Sequence, residues 1–221
     1  MKVCTDATLF GAMMPVAAGD RVLDIGSGTG LLSLMAAQLG AGRVTGVELT
    51  TAAWEESRVN CANSPWNGRM QMIRQDIRDY ALSCKDRYDL IVSNPPFFQD
   101  HSPATGQLRN TARHADLLPY SDLVGCASMM LKTGGLCYVL LPIHAVDTFT
   151  SLTSAARLNL LQRTDIRGYV RNSPKVCSLV FGKEAGCCMS RLHTIYAEHR
   201  QYSAESAYYL ASFLPRFSDS G

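Results

Sequence analysis

The sequence predicts an α/β fold, a mostly parallel seven-stranded sheet with helices on both faces and a C-terminal β-hairpin. Three observations predict it. From Arg21 onward, near-continuous apolar runs alternate with segments of helical period, as parallel strands covered by crossover helices require. A glycine-rich turn directly follows the first run. After Pro142 the alternation stops, and two β-rich runs flank the turn sequence RNSP, which reads as a hairpin.

The elements follow in order. RVLDIG (21–26), RVTGVEL (43–49), MQMIRQD (70–76), YDLIVSN (88–94) and GLCYVLLP (135–142) are the five strand candidates. Between them, TGLLSLMAAQLG, TAAWEESRVNCAN, a short DIRDYALS and LPYSDLVGCASMMLK are helical in period or composition. Gly40 is placed to cap the first of these helices, and Gly134 with Gly135 to end the last. Residues 144–158 read as a further helix, and LLQRTDIRGYV and KVCSLVFGK as the hairpin. RLHTIY adds at most a short strand, and SAESAYYLASFL closes the chain as an amphipathic helix with Ser203 as its N-cap.

Composition narrows the function classes. The 221 residues are 47% hydrophobic and 18% charged with net charge +2, which excludes a wholly disordered chain. No run approaches the roughly 20 apolar residues of a membrane span, and the opening MKVCTDATLFGAMMPV lacks the apolar stretch of a signal peptide. None of the eight cysteines stands in a C-x-x-C pair, so neither zinc nor a redox turn is expected. Reduced, mostly buried thiols in a cytoplasmic protein are the expectation.

The first strand runs into Gly26-Ser27-Gly28-Thr29-Gly30. Residue 31 is Leu where the dinucleotide fingerprint G-x-G-x-x-G has its third glycine, and no Lys-Ser or Lys-Thr follows, which excludes a P-loop. Asp24 just before the turn disfavours a pyrophosphate and suits a ligand bearing an ammonium or sulfonium. Glu48 ends the second strand where a ribose-binding acid belongs, and Asp76 ends the third, where it can accept from an adenine amino group. Each has an alternative reading as a helix cap or solvated acid. The fourth strand stops at Asn94-Pro95-Pro96-Phe97-Phe98, because two prolines cannot continue a ladder.

Jointly, the glycine turn and its acids resemble the S-adenosylmethionine site of the Rossmann-like class I methyltransferase fold. Asn-Pro-Pro-Phe resembles the tetrad of enzymes that methylate planar nitrogens. In order along the chain, MKVCTD-ATLFGA, VLDIGSGTG, VELTTAA, NSPW, QDIRDY, SNPPFF and QLRNTARH resemble the bacterial valine-tRNA adenine N6-methyltransferases. The resemblance implies one methyltransferase domain over residues 1–221, lacking a short segment that relatives carry before K-V-x-T-D. It implies S-adenosylmethionine held by Thr5, Asp6, Leu9, Asp24, Gly26, Gly28, Gly30, Glu48, Leu49, Asp76, Ile77 and Asn94. It implies a catalytic Asn94, Pro95, Pro96 and Phe97, no metal, and tRNA as substrate with no obligate protein partner. Cys4 and Ala7 stand where that family has glycine.

Residues 99–118 form a long polar stretch before the next helix. Its Arg109, Arg113 and His114, with Phe98, are candidate RNA contacts; local pairing of Arg113 and His114 with Asp116 is the alternative. A glutamine N5-methyltransferase of release factors is the nearest rival, a ribosomal RNA base methyltransferase the next. The former usually carries a separate N-terminal domain, whereas here the core starts within 25 residues. A non-catalytic RNA-binding scaffold would have lost the glycine turn or Asn94, and both are present.

Overall fold

The five apolar runs become β1 (Arg21–Ile25), β2 (Arg43–Glu48), β3 (Met70–Arg74), β4 (Tyr88–Ser93) and β5 (Leu131–Pro142). The computed structural model describes residues 5–96, 118–199 and 201–214. β6 (Asn159–Arg167) and β7 (Val176–Gly182) form the expected antiparallel hairpin.

The expected count of seven strands is corrected to eight. β8 (Met189–Thr194) pairs parallel to β6, giving the order β3-β2-β1-β4-β5-β7-β6-β8, in which only β7 runs against its neighbours. β8 falls on the short strand read in RLHTIY, and only its His193 is buried, so it has no apolar run of its own. Backbone pairing along the edge of β6 fixes it instead. β9 (Tyr196–Glu198) and β10 (Gln201–Tyr202) pair separately as a small antiparallel ribbon.

Because successive strand residues point to opposite faces, each central strand feeds two cores. Val22, Leu90, Tyr138 and Leu140 pack under α1 (Thr5–Ala12), α2 (Leu31–Gln38) and α7 (Ala204–Leu210). Leu23, Ile91, Val139 and Leu179 pack under α4 (Ile77–Ser83), α5 (Tyr120–Met130) and α6 (Val146–Ala155). α3 (Thr51–Ala62) lies against β3 and β2, pinned by Trp54 Nε1 donating to the Met72 carbonyl at 3.1 Å.

Helix α1 was not anticipated. Its Leu9, Phe10, Gly11 and Ala12 are all buried, so TDATLFGA lacks the polar face that makes a helix periodic. Phe10 stacks on Tyr138 with centroids 4.2 Å apart, and Tyr138 Oη donates to the Phe10 carbonyl at 3.2 Å. Gly40 (φ 111) does follow α2 as a left-handed cap. Gly134 (φ 75) does not end a helix. α5 stops at Met130, and β5 starts at once and bulges, its register with β4 jumping from Tyr88↔Leu131 to Leu90↔Leu136.

Among the described residues Cys61, Cys126, Cys137 and Cys177 are buried free thiols, while Cys187 and Cys188 are exposed. No described helix is long and apolar enough to cross a membrane.

Candidate active site

Strand order places β1 beside β4 at the point where the chain switches from one face of the sheet to the other, where open α/β sheets form a ligand crevice beyond their carboxyl ends. Ile25 pairs with Ser93 there, and Ser93 Oγ donates to the Ile25 carbonyl at 2.9 Å. The residues that follow, Gly26 and Asn94, are therefore neighbours at the mouth of the crevice.

Gly26 (φ 70), Gly28 (φ 55) and Gly30 (φ 84) all adopt left-handed backbone, which explains glycine at each. The N–H groups of Gly26 and Ser27 donate to the Val47 carbonyl at 2.9 and 3.1 Å, laying the turn over the end of β2. Asn60 Nδ2 of α3 holds the far side by donating to the Thr29 carbonyl at 2.9 Å. A Cβ on Gly26 would meet nothing within 4 Å, so the turn faces open space at that residue.

Asp24 lies beneath this turn, 1% exposed. Its Oδ2 accepts from Ser33 Oγ at 2.6 Å, while Oδ1 and the Ser27 hydroxyl are buried without a hydrogen-bond partner. Burial pushes the Asp24 carboxyl up to about 7, opposed by the Ser33 hydrogen bond and reinforced by the charge of Glu48. Unpartnered buried polar atoms at a glycine turn are unusual in a protein interior, and they suit a ligand carrying a cationic donor.

Glu48 accepts from Gly28 N at 2.9 Å through Oε2, and from Thr50 N and Thr50 Oγ1, both at 2.8 Å, through Oε1. It ties the turn to the start of α3. Asp76 is the N-cap of α4. Its Oδ1 accepts from Arg78 N and Nε at 2.8 and 2.9 Å and its Oδ2 from Arg78 Nη2 at 2.6 Å. Arg78 holds the Asp76 carboxyl below its usual range.

The remaining sequence-predicted residues divide by position. Asn94 is half-buried, Pro95 buried and Pro96 exposed, and Leu49 is 43% exposed beside Glu48. Leu9 and Ile77 are core side chains, packed under α1 and α4 respectively. Thr5 and Asp6 are half-buried at the start of α1. Burial raises the Asp6 carboxyl and Lys175 opposes the rise. Phe97, Phe98, Arg109, Arg113, His114 and Cys4 lie outside the described residues. Sequence reasoning missed Ser33, Asn60 and Thr50, which hold the acids and the turn. The single hydroxyl within the apolar start of LLSLMAAQ was the readable signal for the first, which the fold buries at 0% exposure.

A glycine turn over buried acid at the switch point of a 3-2-1-4-5-7-6 sheet defines a class I methyltransferase. Solved structures agree on the fold. A predicted O-methyltransferase from Agrobacterium tumefaciens superposes with TM-score 0.71 at 15% identity, over 93% of this chain and 95% of that one. A glycopeptide N-methyltransferase solved with S-adenosylmethionine gives 0.56 at 15% identity over 78% and 90%. Residues 2–118 match the model of the methyltransferase small domain. A protein of Phocaeicola vulgatus named tRNA1(Val) (adenine(37)-N6)-methyltransferase is 37% identical over 205 residues, 93% of this chain and 87% of its own. The chain belongs to the methyltransferase small domain family, in the branch of relatives that carry this name.

Proposed function

We propose that the chain transfers a methyl group from S-adenosylmethionine to the exocyclic N6 of an adenine in tRNA, at the position beside the anticodon that its relatives are named for. The observation that carries this reading is the Ile25↔Ser93 pairing, which sets Asn94-Pro95 against the glycine turn. The cofactor supplies an electrophilic methyl. Gly26 and Gly28 let the backbone approach it, Asp24 Oδ1 is the acceptor for its ammonium, and Glu48 for its ribose hydroxyls. Asp76 serves the adenine amino group only through lone pairs that Arg78 leaves open.

An adenine amino nitrogen is a weak nucleophile because its lone pair is delocalised into the ring. The Asn94 side-chain oxygen and the Pro95 carbonyl accept its two N–H protons and hold the nitrogen in line with the methyl carbon. With the methyl supplied by the bound cofactor, these two acceptors would aim the nitrogen's lone pair at it, and the proton that the nitrogen loses would pass to solvent. A sulfonium methyl needs little activation and the nitrogen becomes acidic once it is methylated, so positioning by Asn94 and Pro95 dominates and no strong base is needed. Phe97 stacks on the base in this reading, which requires an unstacked target nucleotide.

Incubating the protein with labelled S-adenosylmethionine and unmodified valine tRNA, with a release factor as competing acceptor, tests the reading. N6-methyladenosine in the tRNA digest, absent with Asn94→Ala, is the expected result. Label on the release factor instead would overturn the substrate.

A further inference from the structure

We infer that the rim beyond β6 and β8 is a stacking platform for the single-stranded RNA next to the methylated base. This rests on the tRNA reading above and names where the rest of that substrate docks. β6 and β8 run parallel to β4, so they end on the same edge as Asn94. From β4 to β8 is four strand steps, roughly 19 Å at about 4.8 Å each, a gap that a few unstacked nucleotides bridge.

At that edge three tyrosines form one tilted stack. Tyr196 lies between Tyr169, at 5.2 Å and 30°, and Tyr202, at 5.0 Å and 30°. Tyr196 Oη donates to Thr5 Oγ1 at 3.3 Å, which joins the stack to the first turn of α1. The Arg171 guanidinium stands 5.4 Å from the centre of the Tyr169 ring. Asn172 closes the turn that carries both, its Oδ1 accepting from Tyr169 N at 3.0 Å and its N–H donating to the Tyr169 carbonyl at 2.9 Å. Between this turn and residues 197–199 runs an open groove of about 490 Å³.

The chemistry of the rim selects its occupant. All three rings are half-buried rather than enclosed in the core, and Arg171, Lys175 and His199 beside them are exposed. Arg167 adds a third strong cation, its Nε donating to Thr194 Oγ1 at 2.9 Å. Glu198, exposed, and Asp6, facing Lys175, are the opposing acids. An apolar partner protein would want a wider apolar surface than Val170, the one exposed large hydrophobic on this turn. Aromatic rings interleaved with arginine suit unpaired bases and their phosphates, because every base offers a π-face.

The test measures binding of an unmodified anticodon stem-loop RNA, together with methylation kinetics, for wild type, Tyr169→Ala, Tyr169→Phe, Arg171→Ala and Arg87→Ala. Arg87 is exposed at the opposite edge of the sheet and controls for bulk charge. Tyr169→Ala and Arg171→Ala should raise the RNA Kd and KM about tenfold, the loss of one stacked base, with kcat and the cofactor Kd little changed. Tyr169→Phe should restore binding, and Arg87→Ala should match wild type. Arg171→Ala alone should flatten the dependence of log K on log salt by about 0.7, one phosphate contact to a single strand. Wild-type RNA binding in both alanine variants would overturn the platform and leave the methylation reading standing. Equal loss of RNA and cofactor binding would reduce Tyr169 to a structural role. A wild-type protein that neither binds nor methylates the RNA would end both readings.

Discussion

Asp24 is the residue on which sequence and structure converge most closely. Its place before the glycine turn suggested a cationic ligand, and the fold buries it with one oxygen unpartnered. Its pKa rises from 3.8 unfolded to about 7 folded, so the folded state binds the proton more tightly. The stability this contributes is full below about pH 4 and is lost as pH rises through about 7. Asp24→Asn cannot ionise, so its stability relative to wild type, followed by denaturant melts, should climb between pH 5 and pH 8. A flat difference would show that the wild-type carboxyl ionises normally. A ligand ammonium favours the carboxylate, so cofactor binding expels the proton. The wild-type affinity should therefore rise by up to about tenfold per pH unit below 7 and level off above it. Calorimetry in buffers of different ionisation enthalpy would detect up to one proton released, and none with Asp24→Asn.

Elements differ in how well they could be read, and the reason is how each is held. β1 to β5 were legible because strands buried on both faces must be apolar throughout. α1 was not, since it is buried nearly all round, and β8 was legible only as a short strand in RLHTIY, since edge pairing rather than burial fixes it. The β8–α7 join was equally hidden. His193, 1% exposed, bonds Ser206 Oγ through Nε2 at 2.8 Å, while Glu205 Oε2 approaches Nδ1 at 3.1 Å outside hydrogen-bond geometry. No spacing in the sequence announces such a pair. At the site the same division holds: the glycines and acids follow a motif, whereas the tyrosine stack draws its rings from the turn after β6 and from β9 and β10, which only the fold assembles. Glycines in the elements make a direct test. A Cβ on Gly46 of β2 would stand 2.3 Å from Met72 Cε and 3.0 Å from Ser33 Oγ. Gly46→Ala should cost about 1–3 kcal/mol and weaken cofactor binding by displacing the hydroxyl that Asp24 needs. Gly125, exposed within α5, meets nothing within 4 Å, and Gly125→Ala should stabilise by about 0.4–1 kcal/mol. Denaturant melts of both variants check the opposite signs, and a stable Gly46→Ala would show that Met72 and Ser33 yield without loss.

For the molecule as a whole, stability resides in the two cores of one sheet and chemistry resides at its rim, so the two can be separated. Asn94 stands past the end of β4, half-buried, in neither core. Asn94→Ala should therefore change the melting temperature of the free protein little, by less than the equivalent of about 0.5 kcal/mol. Cofactor at a hundred times its Kd stabilises the wild type by about 2.7 kcal/mol, which for a chain of this size is a rise of about 5–10 °C. If Asn94 acts on the target nitrogen rather than on the cofactor, the variant keeps that rise while its turnover falls at least about a hundredfold, as when a donor or acceptor aimed at the reacting atoms is removed. Asp24→Asn should show the reverse separation, losing the thermal rise first. Differential scanning fluorimetry with and without S-adenosylmethionine, paired with methylation of the tRNA, reads both quantities from the same preparations. A thermal rise lost in Asn94→Ala would move that residue from the acceptor side of the crevice to the cofactor side. Turnover kept in Asn94→Ala would leave the Pro95 carbonyl alone to hold the base, which one fixed acceptor cannot do for two N–H protons.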